Sequence, residues 1–320
     1  MTARIVGTGS YVPEQMVTNE ELSQIVETND EWIQTRTGIR SRHIATDRGT
    51  SEIAAEAARR ALEDSGIPAE EIDVILVATS TPEKHFPSCA CEVQAELGAS
   101  RAAAFDISAA CSGFVFALNV MYAFVKAGVY RTGLVIGADV LSKITDWSDR
   151  GTCVLFGDGA GAAVLRADEL GIRHSVLGAD GSKKDVLSCL SRSNGNVWMN
   201  KAPEMGYMTM DGQEVFKFAV KKVPECIRQL LQESGVREDE IRYFILHQAN
   251  VRILDSVAKR LKQPLEKFPV NMDRYGNTSG ASIPLLLDEC NRKGMLQKGD
   301  KLVLAGFGAG LTWGAVLLEW

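Results

Sequence analysis

The sequence predicts an α/β protein made of two pseudo-duplicated halves, each with a mixed, largely parallel β-sheet and layered helices. Two repeated patterns predict this fold, and they occur in the same order in both parts of the chain. Buried strands that alternate with helices are typical of sheets covered on both faces. The length of 320 residues also suits two structural units of roughly 150 residues each.

The first repeated pattern is a helix end, a glycine, a short acidic loop and a buried strand. It occupies residues 63–78 and returns in residues 233–247. In both copies the glycine stands where a helix would be capped, and the apolar run after the loop has the length of a strand. The second run ends on a polar residue, His247, where the first run has Ala78.

The second repeated pattern is a strand, a Phe-Gly-x-Gly loop and another strand. Residues 133–137 precede the loop at 156–159, and residues 301–306 precede the loop at 307–310. Strand–turn patterns are common, but a chance match is a poor explanation when two different patterns recur in the same order. We therefore predict two halves, residues 1–167 and 168–320, with a site between them that draws on both.

Composition and charge indicate a globular protein without a broadly basic surface. With 45% apolar and 24% charged residues, the chain can bury a large core. Its net charge of −6 gives no reason to expect binding to nucleic acid over the whole surface, so any basic site must be local.

Cysteine usage and the start of the chain indicate a cytoplasmic protein. Seven scattered cysteines do not resemble a secreted disulfide framework, and the first residues lack the apolar core of a signal peptide. Residues 107–125 carry no charge and are long enough to cross a bilayer. Because this run contains Ser108, Ser112 and Asn119, we interpret it as a buried helix and expect no membrane partner.

Cys111 is the candidate nucleophile. It follows a short apolar strand, in a turn of small residues that leads into a long apolar helix. A helix N-terminus favours the thiolate, and the backbone N–H of Cys111 could donate to an oxyanion. Taken alone, however, a free cysteine is more often a small buried hydrophobic residue.

His247 and Asn277 are candidates for polar catalytic groups. His247 ends a predicted buried strand, and α/β folds place their sites at the ends of strands. A buried histidine with a purely structural role, its ring nitrogens hydrogen-bonded within the core, would give the same sequence pattern. Asn277 lies in a Gly/Ser-rich turn before a helix, where asparagine is also a common cap. The backbone amides of the loop from Gly306 to Gly310 could complete an oxyanion hole.

Taken together, these motifs resemble β-ketoacyl-acyl-carrier-protein synthase III, a thiolase-fold enzyme that starts type II fatty acid synthesis. The resemblance extends from Thr8 to Gly314, almost the whole chain. The motifs that carry it are Glu31-Trp32-Ile33-Gln34-Thr35-Arg36-Thr37-Gly38-Ile39, Ala109-Ala110-Cys111-Ser112-Gly113-Phe114, His247-Gln248-Ala249-Asn250, Gly276-Asn277-Thr278-Ser279 and Gly306-Phe307-Gly308-Ala309-Gly310.

The resemblance implies a decarboxylative condensation of an acyl-CoA starter with malonyl-acyl-carrier protein. Cys111 would hold the acyl group as a thioester, and His247 with Asn277 would stabilise the enolate left by loss of CO₂. The amides of Cys111, Gly308 and Ala309 would form the oxyanion hole. Many relatives have glycine at Ala309, so this role requires that the position not need a positive φ.

The resemblance also implies the binding surfaces. Phe86 would close the acyl pocket of a neighbouring subunit, which implies a homodimer. Neither a metal nor a resident cofactor is implied, because coenzyme A thioesters are substrates. The implied coenzyme A contacts are Thr28, Trp32, Arg36, Arg150, Gly151, Phe216, Ala249, Asn250 and Arg252. The implied carrier-protein contacts are Lys217, Gln248, Ala249, Asn250, Val251 and Arg252.

Other classes of function fit the sequence less well. A same-fold enzyme of secondary metabolism, of the polyketide or quinolone type, would use a CoA-bound acceptor. A papain-like hydrolase also uses Cys, His and Asn, but its local signature is absent and the duplication argues against it. The glycine pattern at residues 7–12 is a broken dinucleotide motif, and Cys89 with Cys91 lacks the second pair of a structural zinc site. No feature selects the starter acyl group, because pockets discriminate weakly between methyl homologues.

Overall fold

The computed structural model describes all 320 residues. Its strands, in chain order, are β1 (Thr2–Tyr11), β2 (Met16–Thr18), β3 (Ser41–His43), β4 (Val74–Ala78), β5 (Ala103–Ile107), β6 (Thr132–Asp139), β7 (Gly159–Asp168), β8 (Ile172–Ala179), β9 (Leu187–Cys189), β10 (Met208–Met210), β11 (Ile241–Leu246), β12 (Lys301–Gly308) and β13 (Thr312–Glu319). Its α-helices are α1 (Asn19–Leu22), α2 (Asp30–Thr37), α3 (Thr50–Ser65), α4 (Cys89–Leu97), α5 (Gly113–Lys126), α6 (Arg150–Cys153), α7 (Gly212–Ser234), α8 (Val251–Leu261), α9 (Met272–Tyr275) and α10 (Ser282–Arg292).

Two main sheets carry the duplication. The first has the order β1-β7-β6-β4-β5, and the second has the order β8-β13-β12-β11 when listed in the same direction. The first four strands of the two sheets also correspond in direction. β1 pairs antiparallel with β7 as β8 does with β13, and β7 pairs antiparallel with β6 as β13 does with β12. β6 then pairs parallel with β4, as β12 does with β11. The predicted boundary lies at the end of β7, and β8 starts the second sheet. The second sheet has no counterpart of β5.

The two main sheets are mixed, as predicted, but parallel pairs do not predominate in them. Each main sheet has two antiparallel pairs, with two parallel pairs in the first sheet and one in the second. The reason is the last strand of each half. Instead of crossing over through a long helix, β13 follows β12 after a short glycine loop and pairs with it directly. β7 also pairs antiparallel with β6, although a longer segment that includes α6 joins these two strands.

The elements stack in five layers, α–β–α–β–α. Helices α3 and α4 cover the outer face of the first sheet, and α7 with α8 covers the outer face of the second. Helices α5 and α10 contact strands of both sheets and lie between them. Three apolar clusters fill the spaces between the layers, one on each outer side and one in the middle. The central layer matters for function because Cys111 and Asn277 lie in the segments that lead into α5 and α10.

The uncharged run at residues 107–125 folds as the end of β5, a turn and most of α5. Phe114, Leu118 and Met121 of this helix are fully buried between the two sheets. No helix in the structure combines the length and the apolar character needed to cross a bilayer. The apolar surface of α5 is therefore explained by the two sheets that cover it.

Candidate active site

Cys111 lies at the turn that joins β5 to α5. The turn is a single 3-10 turn over Ala110–Ser112, and α5 begins directly after it at Gly113. Ala110 has a left-handed φ of 46°, a conformation that costs a non-glycine residue about 1–2 kcal/mol. Such strain persists only where the surroundings fix the backbone. The side chain of Cys111 lines a cavity of about 990 Å³.

The expectation that Cys111 rests as a thiolate is not supported by its surroundings. Burial raises the pKa of the Cys111 thiol to about 12, and the nearby carboxylate of Asp139 adds to this rise. The hydroxyl of Ser279 and the backbone N–H of Cys111 itself act in the opposite direction, but they do not compensate for desolvation. The helix N-terminus therefore faces a neutral thiol, which would have to lose its proton to act as the predicted nucleophile.

His247 follows β11 and lines the same cavity as Cys111. Its backbone N–H donates to the carbonyl of Ala305 at 2.9 Å, and its ring packs edge-on against Phe307 with 5.1 Å between centroids. The Nδ1 atom lies 2.6 Å from the hydroxyl oxygen of Ser282. Burial lowers the pKa of His247 to about 3, so its imidazole is neutral at physiological pH.

Asn277 is held in the cavity wall by its backbone and by one side-chain atom. Its N–H donates to the carbonyl of Leu155 at 2.9 Å, and its own carbonyl accepts from Gly157 at 3.1 Å. Its Oδ1 accepts from the N–H of Ser279 at 2.9 Å. Because Oδ1 is engaged, the Nδ2 group is the part of the amide left to donate to a ligand.

The glycine loop at the end of β12 touches Cys111, the predicted nucleophile. A Cβ atom added to Gly308 would lie 2.9 Å from Cys111 Cβ, 3.0 Å from its backbone nitrogen and 3.3 Å from its Sγ. Only glycine permits this approach. Ala309 is not among the residues with positive φ, so its methyl group does not conflict with the predicted oxyanion role.

Two hydroxyl groups link the Cys111 turn to this loop. Ser112 Oγ and Thr312 Oγ1 lie 2.7 Å apart. The Ser112 hydroxyl donates to the carbonyl of Ala109 at 2.7 Å, and the Thr312 hydroxyl lies 2.9 Å from the carbonyl of Ala309. Neither residue was predicted, because a serine after a nucleophile and a threonine in a strand have no distinctive sequence pattern.

Asp139 is a second group at the site that has no distinctive pattern in the sequence. It ends β6, is fully buried, and accepts hydrogen bonds from Ser80 N at 2.7 Å, Thr81 Oγ1 at 3.0 Å and Gly280 N at 3.3 Å. Burial raises the pKa of its carboxyl group. These contacts tie strand ends of the first half to the Asn277 loop of the second half.

The predicted coenzyme A contacts fall into two groups. Trp32 carries the aromatic–arginine platform: the guanidinium carbons of Arg36 and Arg150 lie 4.8 and 5.0 Å from its ring centroid. Thr28 lies just before α2, and its buried Oγ1 has no hydrogen-bond partner. Those that line the cavity are Arg36, Gly151, Phe216, Ala249, Asn250 and Arg252.

Known proteins resemble this chain over its full length. Family models of 3-oxoacyl-[acyl-carrier-protein] synthase III match residues 105–181 and, for the C-terminal part, residues 231–320. The chain is 52% identical over 321 residues to β-ketoacyl-[acyl-carrier-protein] synthase III of Clostridium acetobutylicum, covering 100% of this chain and 99% of that protein. It belongs to the β-ketoacyl-[acyl-carrier-protein] synthase III family. It is thus an acyltransferase of the condensing type, acting at the initiating condensation of fatty acid biosynthesis.

Solved structures of the family confirm the predicted thiolase-like fold. The synthase III from Aquifex aeolicus is 46% identical and superposes with a TM-score of 0.93, covering 99% of this chain and 100% of that one. A priming β-ketosynthase of a polyketide biosynthetic pathway is more distant, at 37% identity and a TM-score of 0.92 over 99% of this chain and 96% of that one. Secondary metabolism is therefore the weaker alternative for this synthase III homologue.

The predicted carrier-protein residues of this family member are not all at the surface. Lys217 is exposed and pairs with Glu214 at 2.8 Å, and Arg252 packs against Phe216 at the cavity wall. Gln248 does not fit the prediction, because it is 1% exposed. Its side chain donates to the carbonyl of Leu246 and accepts from the N–H of Asn271. The remaining predicted residues, Ala249, Asn250 and Val251, lie at the partly exposed start of α8.

Alkylation kinetics test the protonation state of Cys111. Because the pKa of Cys111 is raised, we expect its alkylation by iodoacetamide to accelerate about tenfold per pH unit from about pH 7 to about pH 10. A free cysteine with a pKa of about 8.5 serves as the control and levels off in this range. Peptide mapping by mass spectrometry assigns the rate to Cys111. A plateau at or below the control's pKa would show that the thiolate is stabilised instead.

Substitution of Gly308 by alanine tests the contact between the halves. The added methyl group must displace the backbone or side chain of Cys111, and a displacement of about 1 Å can cost about 10²-fold in rate. We expect the variant to be folded but to be acylated by acyl-CoA at least tenfold more slowly than the wild type. The control is Gly181→Ala, where an added Cβ meets nothing within 4 Å. Equal acylation rates in the two variants would contradict the role given to this contact.

Proposed function

We propose that this chain condenses an acyl-CoA starter with malonyl-acyl-carrier protein to give a 3-oxoacyl-acyl-carrier protein, CoA and CO₂. The observation that carries the proposal is that one cavity is lined by a thiol, a neutral imidazole and an amide whose Oδ1 is already engaged. Such a cavity offers one nucleophile and two neutral donors, which is the set that this reaction requires.

The first half-reaction uses Cys111. Its thiol loses a proton as sulfur attacks the thioester carbonyl of acyl-CoA, the new C–S bond forms, and the old bond to the CoA sulfur breaks. CoA leaves as the thiol after it takes up a proton. The oxyanion that forms between these events is stabilised by backbone amides of Cys111, Gly308 and Ala309, which meet at the contact between the two halves.

The second half-reaction uses His247 and Asn277. Both donate hydrogen bonds to the thioester carbonyl of the malonyl group while its C–C bond to the carboxylate breaks and CO₂ leaves. The resulting enolate attacks the Cys111 thioester, a new C–C bond forms, and Cys111 leaves and regains a proton. A neutral histidine suits this step, because a donor that stays neutral needs no proton exchange with solvent in a buried site.

We place the coenzyme A chain along the part of the cavity wall formed by Arg36, Phe216 and Arg252, with the adenine base at Trp32. Arginine beside an aromatic ring is the platform expected for a nucleotide base. The cationic side chains near the same opening, Lys217 and Arg252, suit an acidic carrier protein despite the net charge of −6. No resident cofactor is needed, because both substrates carry their own activated thioester. Seven free cysteines suit a reducing cytoplasm.

A homodimer is part of this proposal. Strand β5 ends the first sheet, so one of its edges has no partner strand within the chain, and Phe105 on it is 38% exposed. Phe86 is 86% exposed and does not line the cavity of its own chain. An unpaired edge and exposed aromatic residues on one side of the molecule suit a twofold interface in which Phe86 reaches the partner's acyl pocket.

Separate assays of the two half-reactions test the catalytic assignments. With radiolabelled acyl-CoA, we expect His247→Ala and Asn277→Ala to be labelled on Cys111, and Cys111→Ala to remain unlabelled. Decarboxylation of malonyl-carrier protein should fall about 10²–10³-fold in each of the first two variants, since each removes a donor to the developing charge. Label on another residue, or normal decarboxylation without His247 and Asn277, would overturn the mechanism.

Sedimentation velocity tests the dimer. We expect the wild type to sediment as two chains and Phe105→Lys to dissociate, because the new charge would lie at the edge of β5. Val129→Lys is the control, since Val129 is 57% exposed on the loop after α5. A monomeric wild type, or equal behaviour of the two variants, would argue against the interface.

A further inference from the structure

We infer that Ser282 sets the tautomer of His247 and so makes its Nε2–H the hydrogen-bond donor of the decarboxylation step. This inference rests on the proposed function, since it explains how one residue of that mechanism acquires its chemistry. Ser282 is a positioning residue here: it touches the imidazole and not the substrate.

The contact is short and buried. Ser282 Oγ lies 2.6 Å from His247 Nδ1, and the two residues are 2% and 1% exposed. A neutral imidazole has one N–H and one bare nitrogen, so the partner of Nδ1 decides which ring nitrogen carries the hydrogen.

The direction of this hydrogen bond follows from the other partner of Ser282. The backbone N–H of Gln248 donates to Ser282 Oγ at 3.4 Å, so the oxygen already receives a hydrogen from that side. Among the hydrogen bonds of the structure, Nδ1 is the only acceptor within reach of the Ser282 hydroxyl. The hydroxyl therefore donates to Nδ1, which leaves Nδ1 bare and places the ring hydrogen on Nε2.

The hydroxyl of Ser282 is not used by its own helix. Helix α10 begins at this residue, its N-cap is Ala281, and no side-chain hydrogen bond caps it. A serine at a helix start ordinarily bonds a nearby backbone group. Here the side chain bonds a residue 35 positions away in the chain instead. A role in helix formation alone does not explain this contact.

The groups around the pair keep it rigid. Gln248 is held through its side chain, which donates to the carbonyl of Leu246 at 2.9 Å and accepts from the N–H of Asn271 at 3.2 Å. The His247 ring packs against Phe307, and its backbone N–H is bound to β12. Gln248 is too deeply buried for the predicted contact with the carrier protein, and it helps to hold the Ser282–His247 pair instead.

The tautomer has a direct chemical consequence. With Nε2–H, His247 and the Nδ2 group of Asn277 present two donors to the same cavity, and an enolate oxygen can accept from both. With the opposite tautomer, Nε2 would direct a lone pair at that oxygen and repel the developing charge. A fixed donor costs no reorganisation when the C–C bond breaks.

The test compares Ser282→Ala, which removes the hydroxyl, with Ser282→Thr, which keeps it. We expect Ser282→Ala to decarboxylate malonyl-carrier protein about ten- to a hundredfold more slowly, which is less than the ~10²–10³-fold typical for loss of a donor itself. Labelling of Cys111 by acyl-CoA should stay within about twofold of wild type, since His247 does not act in that step. Ser282→Thr should recover most of the decarboxylation rate.

A second readout does not depend on activity. The chain has four histidines, so ¹⁵N-histidine NMR of wild type and His247→Ala identifies the His247 signals by their loss. In wild type, Nδ1 should resonate as a bare, pyridine-type nitrogen and Nε2 as a protonated, pyrrole-type nitrogen. In Ser282→Ala the two signals should move towards each other, because no hydroxyl then favours one tautomer.

The outcomes separate this inference from the proposed function. A protonated Nδ1 in the wild type, an unchanged decarboxylation rate in Ser282→Ala, or an equal fall in both half-reactions would overturn the role of Ser282. If His247→Ala itself decarboxylates at the normal rate, it is the assignment of His247 that fails.

Discussion

The close approach of the Cys111 turn to the end of β12 is the constraint on which the rest of the site depends. The turn belongs to the first half and β12 to the second, and glycine at positions 306 and 308 lets the two backbones meet. Backbone amides of both halves can then face one oxyanion. The hydroxyl pair Ser112–Thr312 links the Cys111 turn to the segment after β12, and the buried Asp139 ties the first half to the Asn277 loop. In the mechanism we propose, duplication of one α/β unit thus supplies a nucleophile from one copy and hydrogen-bond donors from the other.

Burial favours the neutral form of both Cys111 and His247. It raises the pKa of Cys111 and lowers the pKa of His247, so each rests in its neutral form. A neutral site suits a reaction in which negative charge first appears on substrate oxygens, because fixed donors then meet that charge without competing ions. In the mechanism we propose, the cost falls on the first half-reaction, in which Cys111 must give up a proton against the effect of desolvation. Such a site would favour stabilisation of the transition state over a preformed thiolate.

Much of the fold and the identity of the central residues could be predicted from sequence, for a physical reason. Apolar runs bounded by glycines mark strands and their turns, and Cys111, His247 and Asn277 all lie at such boundaries. What could not be predicted depends on distant contacts. The high pKa of Cys111 comes from burial by both halves, and the place of Gln248 comes from backbone partners on other segments. The contact of Ser282 with His247 could not be predicted, because the two residues are 35 positions apart in the chain. The antiparallel pairing of β13 with β12 could not be predicted, because the sequence of a glycine loop does not determine the direction of the next strand.

The most direct test of the account is a structure of the acylated enzyme with a malonyl thioester analogue whose carboxylate cannot be lost. We expect the acyl group to be on Cys111 and the analogue's thioester oxygen to accept hydrogen bonds from both His247 Nε2 and Asn277 Nδ2. An analogue that binds productively in the cavity with its thioester oxygen held by neither residue would contradict the division of labour between the two halves.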